Sequence, residues 1–150
     1  MPGKGPECET DPKTTYPELL KKDIAEAQAA GAHPILVTEM QTRKYKDGKL
    51  LHPWEAYVVA MRKVGTETNT PVIDLNAHLT ACLDTMTQAQ ADAYNKYYVD
   101  NPALIDRGHI NPKGSQMIGA MVAEDMAKVV PALAKYVQMQ NPPVENEACR

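Results

Sequence analysis

In TYPELLKKDIAEAQAAG, residues 15–31, apolar side chains return at Tyr16, Leu19, Leu20, Ile24, Ala27 and Ala30. That three-and-four spacing gathers them on one face of an α-helix. Thr15 can cap this helix, Pro17 suits its first turn, and Gly31 stops it. The next run, PILVTE at 34–39, is apolar, β-branched and without polar alternation. It is too short for a helix and reads as a strand covered on both faces, as in parallel sheets. KYKDGKL turns through Asp47 and Gly48, and from near Pro53 the residues Trp54, Val58, Met61 and Val64 line a second helix expected to end at Gly65. PVIDLN at 71–76 is a second buried strand, so strand, helix and strand form a βαβ unit.

Beyond it the chain turns helical. AHLTACLDTMTQAQADAYNKYYV predicts one or two helices. Residues 99–112, marked by Pro102, Gly108 and Pro112, predict a loop, and a long helix runs from about Lys113 until Pro131 breaks or kinks it. Residues 1–13 read as a loop, 14–138 as one domain and 139–150 as a frayed tail. The class is α/β, with two parallel strands and about five helices. Parallel sheets usually carry about four to six strands, because both faces must be covered. Strands are therefore expected to be missing.

Composition narrows the partners. An apolar content of 43% in 150 residues supports one core, burying roughly 70% of the unfolded surface. The net charge of -3 comes from 16 basic and 19 acidic residues spread along the chain, which gives no stripe to follow a phosphate backbone, so no nucleic acid is expected. No apolar run approaches the roughly 18 residues of a bilayer span, and MPGKGPECETDPK lacks the apolar segment of a secretory signal, so no membrane partner is expected either. Cys8, Cys82 and Cys149 form no CxxC motif; Cys8 and Cys149 lie in Pro-rich polar ends that could meet, while Cys82 reads as a buried, inert thiol.

The chemistry concentrates in DRGHINPKG, residues 106–114. Asp106 and His109 stand three apart, near enough for the carboxylate to hold one imidazole nitrogen and leave the other free, which is the orienter and base of a hydrolytic triad. The plainer reading has Asp106 capping a local turn and His109 as a surface histidine. Ser115, the chain's sole serine, follows into the next helix, where a hydroxyl caps backbone amides more readily than it attacks a carbonyl. His33, His52 and His78 have no partner at ligand spacing, and no metal or cofactor is expected. Trp54 with Tyr57 could line a sugar cleft or belong to the core, Arg43 and Lys44 could meet a uronate carboxylate or sit on a solvated loop, and AYNKYY could form an interface.

DRGHINPKGSQMIGAMVAEDM resembles the last block of the SGNH (GDSL-type) hydrolases, an Asp-x-x-His followed by a helix start rich in small residues. YPELLKKDIAEAQAAGAHPILVTEMQTRKYKDGKL and PVIDLNAHL look like the helix, strand, loop and following strand of the rhamnogalacturonan acetylesterase branch. The resemblance covers residues 14–135 and matches the C-terminal portion of that fold, a flavodoxin-like three-layer α/β/α arrangement. It implies that His109 is the general base and Asp106 its orienter, in the hydrolysis of an ester on an acetylated pectic carbohydrate such as rhamnogalacturonan. The family's GDS serine and its glycine and asparagine blocks are absent from this sequence; they would occupy about three strands and roughly 100 residues. Two outcomes follow. The chain is either one portion of an esterase completed by an N-terminal segment, or a non-catalytic module that covers its open sheet edge by self-association. Members of the family are often exported, so the resemblance also implies a secreted enzyme whose signal would lie in the absent portion.

Overall fold

The computed structural model describes residues 10–98, 101, 103–137 and 149. The chain divides into two compact units, one made of residues up to Glu39 together with Trp54–Ile73, the other of Met40–Pro53 and residues from Asp74 onward.

In the first unit, α1 (Thr15–Ala29) and α2 (Glu55–Thr68) accompany β1 (Leu36–Val37) and β4 (Val72–Ile73), while β2 (Tyr45–Lys46) and β3 (Lys49–Leu50) belong to the second unit. β1 and β4 pair in parallel, Leu36 opposite Val72 and Val37 opposite Ile73. The two unbroken apolar runs are thus strands, paired as the sequence implies. Ile24, Leu36, Met61 and Val64 form the core, packed by Tyr16, Leu20 and Val72. The helical spacing is explained by burial: Val58, Met61 and Val64 present one covered face of α2. Two boundaries differ from expectation. Thr14 rather than Thr15 precedes the first helical residue, while the Thr15 hydroxyl accepts from the Asp11 amide. α2 runs through Gly65 to a left-handed stop at Asn69. Gly65 is there for packing, since a Cβ on it would lie 2.2 Å from Val72 Cγ2.

Trp54 and Tyr57 meet edge to face with ring centres 6.4 Å apart, and Tyr57 meets Tyr16 in the same way at 5.1 Å. The Tyr57 hydroxyl donates to Thr10 O and that of Tyr16 to Glu39 Oε1. These half-buried rings pack the unit; their hydroxyls are engaged with the protein itself.

The second unit begins with a hairpin, β2 (Tyr45–Lys46) and β3 (Lys49–Leu50), turned by Asp47 and Gly48 at positive φ. Both central residues of such a tight turn must be left-handed, which is why the Asp-Gly pair stands there. Then follow α3 (Leu75–Leu83), α4 (Gln88–Asp92), β5 (Asn95–Tyr97), β6 (Ile105–Ile110), α5 (Pro112–Val129) and a 3-10 helix, Pro131–Tyr136. Asp74 caps α3, and Thr87 with Gln90 forms a reciprocal cap on α4. The core gathers Leu50, Leu75, Leu79 and Leu83 with Tyr94, Met117, Ile118 and Met121.

Three expectations are corrected in this unit. Residues 105–110, read as loop because Gly108 and Pro112 punctuate them, form β6, antiparallel to β5. Cys82 is no free thiol: it is disulfide-bonded to Cys149, and both are buried. Cys149 is thereby held against the core, while the rest of residues 138–150, and Cys8, lie outside the described residues. Finally, the N-cap of α5 is Asn111, whose side chain accepts from the Gly114 amide, and not Ser115, which is exposed one residue further into the turn.

Candidate active site

The second unit displays Asp106 and His109 on β6, at a break in its pairing. Lys96 lies opposite Asp106, yet its neighbour Asn95 lies opposite Ile110. Arg107, Gly108 and His109 therefore bulge out of the ladder, a device that re-aims side chains at strand edges. Asp106 closes the bulge: its Oδ1 accepts from the amides of Gly108 at 2.9 Å and His109 at 3.2 Å, as short polar side chains do in tight turns. Gly108 leaves room for that carboxylate, since a Cβ there would stand 3.3 Å from Oδ1.

The other carboxylate oxygen, Oδ2, meets His109 Nδ1 at 2.6 Å. Asp106 thus caps the bulge with one oxygen and meets the imidazole with the other. Burial pushes the Asp106 carboxyl up, but hydrogen bonds from the His109 ring and from the two amides outweigh it and leave its pKa below the ordinary value. The acid therefore stays ionised against the ring. An ionised carboxylate can only accept, so the contact calls for Nδ1–H as its donor, and the His109 side chain is 78% exposed. A second pair, His78 Nδ1 to Asp125 Oδ2 at 2.9 Å, ties α3 to α5 with its imidazole only 15% exposed. Of the two, only His109 offers a nitrogen to an incoming group.

Behind the bulge is a network that the sequence did not reveal. Arg43, read from the sequence as a loop cation that either meets a uronate or is solvated, is instead wholly buried. Its Nη2 donates to the carbonyls of Arg107 at 3.2 Å and His109 at 3.0 Å, its Nη1 to Gln41 O, and its Nε to Asn95 Oδ1. Asn95 passes the chain on to Asp92 Oδ1, and Asp92 grips Arg107 through both oxygens. Gln88 joins Asp92 to the Arg43 carbonyl. The bonds from Arg43 to Asn95, Arg107 and His109 link positions 52, 64 and 66 residues apart, so no local motif could announce them. Lys44, by contrast, is exposed.

The elements and their order are those of an α/β protein that displays a carboxylate–imidazole pair just ahead of α5. The chain is similar to the probable rhamnogalacturonan acetylesterase YesY of Bacillus subtilis (strain 168), 31% identical over 124 residues that cover 83% of this chain and 56% of that protein. It is also similar to the rhamnogalacturonan acetylesterase RhgT of the same strain, 26% identical over 127 residues, covering 80% and 55% respectively. No family model matches the chain, and no solved structure does. The resemblance drawn from the sequence holds: this is a partial SGNH-like protein related to rhamnogalacturonan acetylesterases. It spans about half the length of the relatives it matches.

Proposed function

We propose that this chain contributes the base and its orienter, His109 and Asp106, to a carbohydrate acetylesterase acting on an acetylated pectic polysaccharide such as rhamnogalacturonan. The serine nucleophile comes from a segment outside the present sequence. The observation that carries the reading is the 2.6 Å contact between Asp106 Oδ2 and an imidazole whose far edge is open. The similarity to two rhamnogalacturonan acetylesterases supplies the substrate class.

The chemistry follows from that geometry. His109 Nε2 takes the proton of the incoming serine hydroxyl as its oxygen attacks the acetyl carbonyl. Asp106 stabilises the imidazolium that results. The same proton then goes to the departing sugar oxygen, leaving an acetyl-serine. Water, deprotonated by Nε2, releases acetate and restores the serine. Each proton transfer in this scheme passes through His109 Nε2.

A missing layer also has support in the first unit. Val37 reads as part of a strand covered on both faces, yet it is 41% exposed. An N-terminal segment that adds strands would cover it.

The test is reconstitution. The purified chain is assayed with p-nitrophenyl acetate and with acetylated rhamnogalacturonan, alone and after co-expression with a segment carrying a GDS serine. Turnover is expected only with that segment, and His109→Ala should lower it on the order of 10²–10⁴-fold. Vigorous hydrolysis by the chain alone, or near-normal rates in the reconstituted His109→Ala enzyme, overturns the reading. Absence of rescue together with a stable homo-oligomer would mark a self-associating, non-catalytic module instead.

A further inference from the structure

The bulge that carries His109 is a poor platform if left to itself. Gly108 lies at its centre, Arg107, Gly108 and His109 have no ladder partners on β5, and the imidazole is open to solvent. A base that must meet a hydroxyl within hydrogen-bond reach loses rate steeply when it is displaced by about 1 Å. Something must fix the backbone from behind.

We infer that Arg43 is the positioning residue of this site, its guanidinium holding the β6 carbonyls on either side of Gly108 and thereby seating the His109 ring against Asp106. The planar fork suits this task. One terminal nitrogen, Nη2, reaches both the Arg107 and the His109 carbonyl, at 3.2 and 3.0 Å. The remaining donors are fixed in turn, Nη1 by Gln41 O at 3.4 Å and Nε by the fully buried Asn95. The Arg43 amide adds a bond to Arg107 O at 3.4 Å. The result is a closed circuit: Arg43 to Asn95, Asn95 to Asp92, Asp92 to the Arg107 side chain, and the Arg107 carbonyl back to Arg43.

The arrangement also explains a cation placed where no ligand can touch it. Burial pulls the guanidinium below its ordinary pKa, and the fields of Asp106 and Asp92 oppose that pull. An arginine remains charged in such a place, and its fork satisfies several acceptors at fixed angles. A lysine in its place would offer a single nitrogen and could not span the same set. Arg43 thus acts through His109 and never meets substrate.

The catalytic meaning of this inference rests on the proposed role of His109, but the experiment does not use esterase activity. Long-range proton–nitrogen NMR of the purified chain reads the imidazole tautomer, with His78 as an internal reference because Asp125 holds it independently. In the wild type the neutral His109 ring is expected to carry its proton on Nδ1, and the Arg43 guanidinium protons are expected to exchange slowly with water. In Arg43→Lys the Nε2–H form of His109 should rise several-fold while the His78 signals and the circular dichroism stay as they were. Should Arg43→Lys fail to fold, Asn95→Ala, which removes the acceptor of Nε together with the donor to Asp92 but keeps the guanidinium, should give a smaller change in the same direction. A folded variant with an unchanged His109 tautomer overturns the inference and leaves the Asp106–His109 pair standing. Rapid exchange of the Arg43 protons in the wild type overturns it as well. A wild-type ring without a held Nδ1–H overturns the pair itself, and the proposed function with it.

Discussion

Asp92 grips Arg107 at two points, Oδ1 to Nε at 2.8 Å and Oδ2 to Nη2 at 2.7 Å, and this contact braces the strand that presents His109. Burial raises the Asp92 carboxyl, yet the hydrogen bonds and charge of Arg107, with Asn95 and Gln88, outweigh it and leave the pKa below its ordinary value. A carboxyl depressed by folding stabilises the native state above its unfolded pKa, near 4, and ceases to do so as pH falls through the lower folded value. Asp92→Asn is expected to cost about 1–2 kcal/mol in urea unfolding at pH 7, kept modest because Arg107 is partly solvated. The gap between variant and wild type should narrow as the pH is lowered below 4. An unchanged gap at low pH would show that the ion pair is not its source.

Gly65 in α2 and Gly119 in α5 should respond to alanine in opposite directions. A methyl on Gly65 would stand 2.2 Å from Val72 Cγ2 and 3.1 Å from Thr70 O, so Gly65→Ala must push α2 off β4. Overpacking of that kind costs about 1–3 kcal/mol. A methyl on Gly119, within α5, would meet nothing within 4 Å. There alanine improves the helix by roughly 0.5–1 kcal/mol. Urea midpoints of the two variants check both signs at once.

How far the sequence could be read is clear from particular residues. The unbroken apolar runs around Leu36 and Val72 announced strands because they are too short for a helix and lack polar alternation, and they pair in parallel as expected, with Val37 left 41% exposed. Val58, Met61 and Val64 announced a helix because one face is covered. β6 was hidden, since a bulge around Gly108 breaks the period of two by which strands are recognised. Asp106 and His109 were legible because their contact is local, three positions apart. Arg43 was not, because its acceptors on Asn95, Arg107 and His109 lie 52 to 66 positions away and only the folded chain brings them to it.

The disulfide gives a direct chemical check. Cys82 on α3 and Cys149 are separated by 67 positions, so their bond closes a long loop of the unfolded chain. Closing such a loop stabilises by about 2–4 kcal/mol. Cys149→Ala is expected to lower the urea midpoint accordingly, and wild type in excess reductant should match it. A digest of the unreduced protein should yield the fragment joining Cys82 to Cys149. Recovery of a Cys8–Cys149 fragment in its place would contradict the structure.

Asp106 holds two positions with two oxygens, and one substitution separates them. Asp106→Asn keeps an acceptor at Oδ1 for the amides of Gly108 and His109, so the bulge should survive with a stability change within about 0.5–1 kcal/mol. At the other position an NH₂ replaces Oδ2, and two donors cannot face each other. The ring must then turn its lone pair to the new side-chain amide and carry its proton on Nε2, where it can no longer take one from serine. In the reconstituted enzyme that tautomer switch should lower turnover on the order of 10⁴-fold. Asp106→Ala removes both roles and should lose stability and activity together. Acetate release and urea midpoints, measured on the same preparations, separate the outcomes: an active Asp106→Asn enzyme would reduce Asp106 to a turn cap and leave His109 without its orienter.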